Sequence, residues 1–291
     1  MTNHSSKHYL LLGAGFSRNW GGWLAAEADE YLLGHPQIDK SVRDILWQYR
    51  RTGGFEYALG HLQHEGAGDP RLKALQNALR QMFSDMDKAF RGITFNFNND
   101  LKTTVTSFLT RFETIFTLNQ DLLLERHYLN DNVSLMSNGR WNGYHFPGLR
   151  QLQSQNHSSD EIATWIPDES NFSVPKRAQS YFKLHGSANW QTAESNELLV
   201  LGGNKPEIIA KYPLLKWYHD EFKKMLSQPN SRLMVIGYGF RDPHINQIIQ
   251  ACAKEKENGF GVFIIDPMGT DVIDKNRHDK NYSPDELIQD L

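Results

Sequence analysis

The chain has 291 residues, 39% hydrophobic and 22% charged, the composition of a folded globular protein rather than a disordered one. Its formal net charge of −3 supplies no global attraction to nucleic acid or to an anionic membrane. One cysteine, Cys252, excludes an internal disulfide framework and a structural zinc site built on several cysteines. The length allows one large α/β domain with insertions or two small domains. Met1 to Lys7 is polar and has the pattern of neither a signal peptide nor an anchor. No apolar run reaches bilayer-spanning length, so a cytoplasmic protein is expected.

Tyr9-Leu10-Leu11-Leu12 is a short continuous apolar run that stops at Gly13-Ala14-Gly15-Phe16-Ser17. That pattern predicts a buried parallel strand and a tight turn. A helix opening there would offer free N–H groups and its positive dipole end to a phosphate. The dinucleotide fingerprint asks for a third glycine where this chain has Arg18. By itself the stretch fits either a nucleotide-binding turn or an ordinary strand-to-helix turn.

Residues 20–27 lead into a helix predicted to run to about Leu33 and to end at His35-Pro36. Helical patterns follow at Ser41–Arg51, Phe55–Gln63, Pro70–Phe90 and Asp100–Phe112. Leu72, Leu75, Ala78, Leu79 and Met82 give the third an amphipathic stripe. The block 36–112 is too long for a simple crossover and is expected to be an inserted helical subdomain.

Glu113 to Leu118 is β-branched and apolar, hence a strand, and stops at Asn119-Gln120-Asp121. Leu122 onward reads as helix. Residues 130–180 are an irregular insertion with Trp141, Tyr144, Phe146 and Trp165 scattered through it. It is either a polar loop with aromatic anchors or a lid or partner surface.

Tyr181–Leu184 is a third strand, ending in His185-Gly186-Ser187, and Leu198–Leu201 a short extra one. A helix spans Tyr212–Leu226. Ser231–Ile236 is a strand that ends in Gly237-Tyr238-Gly239-Phe240. Asp242-Pro243 then opens a helix to about Glu257, with Asp242 as N-cap and Pro243 in the first turn. Cys252 in that helix reads as a small buried hydrophobe. Gly261–Ile265 is the last strand, ending in Asp266-Pro267, and Ser283-Pro284-Asp285-Glu286 caps a short final helix.

Strands alternating with helices predict an α/β fold with a doubly wound, mostly parallel Rossmann-like sheet. In such sheets ligands bind at the carboxyl ends of the strands. The turns at Gly13, Asn119, His185, Gly237 and Asp266 should therefore face one crevice.

In this order, Gly13-Ala14-Gly15-x-Ser17, Thr117-x-Asn119-x-Asp121, Leu184-His185-Gly186-Ser187 and Gly237-Tyr238-Gly239-Phe240-x-Asp242-Pro243-x-Ile245-Asn246 resemble the sirtuin-like domain, over roughly Tyr9 to Pro267. The Gly-Tyr-Gly-Phe-x-Asp-Pro form is similar to the bacterial branch found in anti-phage defence, not to the protein deacylases. Deacylases carry a four-cysteine zinc module, which one cysteine cannot build. Where they have a segment that closes over NAD+, this chain reads Gly21-Gly22-Trp23-Leu24-Ala25.

The resemblance implies NAD+ as substrate, with no zinc and no other metal. It implies Asn119 holding the water and ribose, His185 as general base, and Asp121 orienting the nicotinamide amide or buttressing Asn119. It places Gly13, Ala14, Gly15 and Ser17 at the pyrophosphate, and Gly237, Tyr238 and Asp266 on the adenosine side. Asp266 fits a ribose ligand or a turn cap equally. His185 is one of 12 histidines, and its place at a strand end beside Gly186 singles it out.

The implied function is an NAD+ hydrolase that releases nicotinamide and ADP-ribose as a toxic effector of phage defence. The alternatives are an NAD- or ADP-ribose-binding scaffold and, third, a protein deacylase. About twenty-five residues follow Asp266, too few for a sensor domain. Restraint is then expected from self-association or a second protein, here a homo-oligomer paired with a HerA-type hexameric ATPase. Nucleic acid would be engaged only indirectly, and no membrane is expected.

Overall fold

The computed structural model describes residues 6–66, 68–96, 104–130, 132–152, 162–193, 197–202, 204–255 and 258–273. In chain order it opens with β1 (Lys7–Leu12) and the short α1 (Ala14–Arg18). Four helices follow: α2 (Ala25–Gly34), α3 (Lys40–Tyr49), α4 (Gly54–Glu65) and α5 (Pro70–Phe90). Then come α6 (Val105–Leu109), β2 (Thr114–Thr117), α7 (Leu123–His127) and α8 (Asn132–Met136). Three short strands, β3 (Tyr144–His145), β4 (Leu149–Gln151) and β5 (Trp165–Pro167), precede β6 (Gln179–Lys183), β7 (Gly186–Gln191) and β8 (Glu197–Leu199). The chain continues through α9 (Lys205–Lys211), α10 (Pro213–Leu226), β9 (Ser231–Ile236), α11 (Pro243–Lys254) and β10 (Gly261–Ile265).

Six strands form one parallel sheet in the order β10-β9-β1-β2-β6-β3. The chain moves from β1 outward through β2 and β6, then returns to place β9 and β10 on the other side. That reversal beside β1 is the topological switch point of a doubly wound fold. Tyr9 to Leu12, and all of β2 and β6, are buried, as strands covered on both faces must be. At the edge, β10 leaves Phe263 and Ile265 about half exposed.

The register decides where the site lies. Leu12 pairs with Thr117 and with Ile236, Thr117 with Lys183, and Ile236 with Ile265. The last residues of five parallel strands therefore stand in one level row, neighbours about 4.8 Å apart. Every loop singled out from the sequence leaves the sheet from that row.

Helices α2 to α5 share a second hydrophobic cluster around Leu32, Val42, Leu59, Leu62, Leu75 and Leu79. Ion pairs tie them to the rest, among them Arg126 of α7 with Asp87 of α5, Arg80 of α5 with Glu197 of β8, and Lys205 of α9 with Glu56 of α4, the last at 2.9 Å. No helix among the described residues is long and apolar enough to cross a membrane.

Three expectations change. The segment read as irregular contains β3, β4 and β5, of which β4 and β5 join β7 and β8 in a four-stranded second sheet. Strands of two or three residues are too short to display alternation. The helix expected over Asp100–Phe112 is a five-residue one, Val105–Leu109, among the described residues. The turn at His185-Gly186 leads straight into a strand not read from the sequence: β6 ends at Lys183 and β7 begins at Gly186. Gly186 makes that abrupt joint possible, with φ +74° and a position where a Cβ would lie 2.0 Å from Leu198 O. The final helix expected at 283–286 lies outside the described residues.

Candidate active site

The glycine turn after β1 is fused to the turn after β9. Gly13 N–H donates to Ile236 O at 3.0 Å and Gly15 N–H to Gly237 O at 2.9 Å. A Cβ on Gly13 would lie 2.5 Å from Gly237 O, and one on Gly237 2.3 Å from Phe16 N. Gly237 also has φ +64°. These glycines let two loops meet backbone to backbone, a closer reason for them than conformational freedom alone. Gly15 therefore spends its N–H inside the protein. Ala14 is exposed at the turn, while Ser17 is buried behind it.

Asn119 reaches across from the next strand. Its Nδ2 donates to Gly13 O and to Ser17 Oγ, each at 3.0 Å, and its own N–H is held by Thr117 Oγ1 at 3.0 Å. Ser17 is also hydrogen-bonded to the Asp121 side chain. Asn119, Ser17 and Asp121 are thus one network, with the Asp121 carboxylate behind the serine and capping Leu123 N–H at 3.0 Å.

Beneath them sits a pair that the motif comparison passes over. Lys183 is fully buried, and its Nζ donates to Asp121 O at 2.5 Å and Glu125 Oε1 at 2.7 Å. Burial raises the Asp121 and Glu125 carboxyls above the ordinary range, with Lys183 pulling the other way. A lysine inside the apolar run Tyr181-Phe182-Lys183-Leu184 was the legible signal.

His185 follows one strand further along the row. The Asn119 and His185 loops are stitched together: Ala188 N–H donates to Gln120 O at 3.1 Å, and Gln120 Nε2 to Val200 O at 2.7 Å. Val200 N–H in turn donates to His185 O at 2.9 Å. The imidazole is 3% exposed, and burial holds its pKa well below the ordinary histidine value. Burial thus favours the neutral ring, the form in which an imidazole can accept a proton.

Its Nε2 lies 2.9 Å from Nε2 of His244, in the first turn of α11. His244 packs in turn against His219 of α10, ring centroids 5.5 Å apart. Burial lowers both of these to about 4. Neither His219 nor His244 carries a sequence signal among 12 histidines; only folding brings them to His185.

Asp242 heads α11, but its side chain does not cap the helix as expected. The carboxylate instead accepts from Lys205 Nζ at 2.8 Å, and Lys205 also meets Glu56. Burial pushes the Asp242 carboxyl up, but His185, Lys205 and His244 outweigh it and bring it to about 2. Tyr238 instead fastens the start of the helix: its hydroxyl accepts from Asp242 N–H at 3.1 Å and donates to Asn246 Oδ1 at 3.0 Å. The Tyr238 side chain is 4% exposed, so it braces α11 from within. Asp266 stands at the end of β10, where its Oδ1 accepts from Met268 N–H at 2.9 Å, the turn-capping contact.

A level row of loop tips over a switch point defines an α/β protein of the Rossmann type. The model of the SIR2-like domain matches residues 113–285, more than half of the chain, and the chain belongs to that family. The match takes in the ends of β2, β6, β9 and β10; the glycine turn at 13–17 precedes it and is joined to it by Asn119. The family is one of NAD+-binding, NAD-dependent proteins. Comparison with curated proteins finds no match.

Proposed function

We propose that this chain is an NAD+ glycohydrolase, converting NAD+ and water into nicotinamide, ADP-ribose and a proton. The bond between the ribose C1′ and the cationic nicotinamide breaks, its electron pair leaving with nicotinamide, which departs neutral. The ribose passes through an oxocarbenium-like state, as in glycoside cleavage. Water bonds to C1′ and gives up its proton. Asn119 orients ribose and water, His185 takes the proton, and Asp121 holds Ser17 and so Asn119 in place. Gly13, Ala14, Gly15 and Ser17 lie at the pyrophosphate, and Gly237, Tyr238 and Asp266 bound the adenosine side.

One observation carries this reading. The Asn119 carboxamide bonds both Gly13 O and Ser17 Oγ, so the nucleotide turn and the candidate catalytic loop are one unit. A second reading, an NAD- or ADP-ribose-binding scaffold, draws on the burial of His185 and its hold on His244. Incubating the pure protein with NAD+ and resolving the products separates them. Equimolar nicotinamide and ADP-ribose, lost in His185→Ala, supports the hydrolase. Binding without turnover favours the scaffold, and neither binding nor turnover contradicts both. A deacylase is disfavoured because the one cysteine, Cys252, cannot build the four-cysteine zinc module that deacylases carry.

The same reading assigns the enzyme to phage defence as a homo-oligomer with a HerA-type hexameric ATPase, because unrestrained loss of NAD+ would kill the host. The Gly237-to-Pro243 motif form supports it. Light scattering on the pure chain, then with that ATPase added, tests it: a monomer that ignores the ATPase contradicts it.

A further inference from the structure

We propose that His185, His219 and His244 form a binding site for a divalent transition metal ion, zinc foremost, and that a bound ion silences the enzyme. One ring nitrogen from each histidine lies within 4.8 Å of the other two. The three come from separate elements: the β6–β7 joint, α10 and the first turn of α11. They converge beside the candidate active site, and one of them is its candidate base.

His219 supplies the second observation. Its Nδ1 lies 3.1 Å from Leu215 O, one helical turn back. A carbonyl only accepts, so Nδ1 carries the proton and Nε2 keeps a bare lone pair. That Nε2 is buried and has no hydrogen-bond partner. A buried acceptor without a partner is costly and calls for a ligand. A backbone carbonyl on the far ring nitrogen is also how metal-binding histidines are commonly oriented.

The dimensions suit a small ion. Tetrahedral zinc holds imidazole nitrogens about 2.0–2.1 Å away, hence about 3.3 Å from each other. The 2.9 Å His185–His244 pair would open by a few tenths of an ångström and His219 would close inward. Three neutral imidazoles with water as fourth ligand suit zinc, cobalt, nickel or copper rather than magnesium or calcium. The one proton shared between His185 and His244 Nε2 moves to Nδ1 of its own ring, so binding needs no net proton release.

The silencing half rests on the hydrolase reading, since it works by occupying the lone pair His185 needs as a base. The metal half does not. The probes are Co2+, read by its visible d–d absorption, and Zn2+, read by calorimetry, each added to the full chain after chelation. One ion per chain is expected, with affinity weakened at least about tenfold in His219→Gln, which keeps volume but loses the imidazole lone pair. NAD+ cleavage by the chelated protein should cease at one equivalent of Zn2+, return with chelator, and resist that dose in His219→Gln. Circular dichroism checks that the variant is folded, and His219→Phe replaces it if not. Absence of stoichiometric binding, or equal affinity in the variant, overturns the site. Binding without inhibition overturns the silencing. Ion binding by a chain that never cleaves NAD+ upholds the site and strikes the hydrolase reading alone.

Discussion

Lys183 and Glu125 have side chains 0% and 3% exposed, so each is tolerable only because the other is present. Removing one partner strands a buried charge. Lys183→Met should cost about 3–5 kcal/mol by urea denaturation, and Lys183→Met with Glu125→Leu should recover most of it. A single-variant cost below about 1 kcal/mol would show the pair is not structural. Asn119→Ala removes the donor that joins Gly13 and Ser17, and NAD+ cleavage should fall about a hundredfold or more from misplacement. His145 offers a pH test away from the site: burial lowers its pKa and leaves Nε2 without a partner. Its folded pKa lies below the unfolded value, so its contribution is present above about pH 6.5 and is lost as pH falls through the folded pKa. His145→Phe should therefore gain stability relative to the wild type between pH 7.5 and pH 5, read as urea midpoints; a constant gap would contradict it. At this scale the sequence was a partial guide. Asn119 and His185 stood out by position at strand ends, whereas His219 and His244 had no pattern to betray them.

The elements most legible in advance were the long or strictly apolar ones. The strands at Ser231–Ile236 and Gly261–Ile265 and the helix at Pro70–Phe90 have the bounds their residues announce. Proline in the first turn behind Asp69 fixes the start of that helix. The β4 and β5 strands escaped because each is three residues long and defined by pairing with distant residues, β4 with β5 and β5 with β7. The use of the glycines also needed coordinates, since Gly13 and Gly237 are 224 positions apart, the difference of their two numbers, yet touch. That contact predicts a contrast. Gly237→Ala meets Phe16 N at 2.3 Å at positive φ and should cost more than about 3 kcal/mol with loss of NAD+ binding. Gly21→Ala, also at positive φ but with open space around it, should cost about 1 kcal/mol and leave binding intact. Thermal melts with and without NAD+ read both.

For the whole molecule, parallel register does what no single motif can. It levels the ends of β10, β9, β1, β2 and β6, and the chain reversal at β1 opens the sheet where the Gly13 and Gly237 turns meet. The alternation of strands and helices made this architecture readable, but register and the histidine cluster arise only from long-range packing. The most direct test is a crystal structure of the His185→Ala protein soaked with NAD+. The pyrophosphate should lie over Gly13 to Ser17, with the nicotinamide ribose within hydrogen-bond distance of Asn119 and the adenosine toward Gly237 and Asp266. NAD+ bound away from this row of strand ends, or none bound at millimolar concentration, would contradict the account.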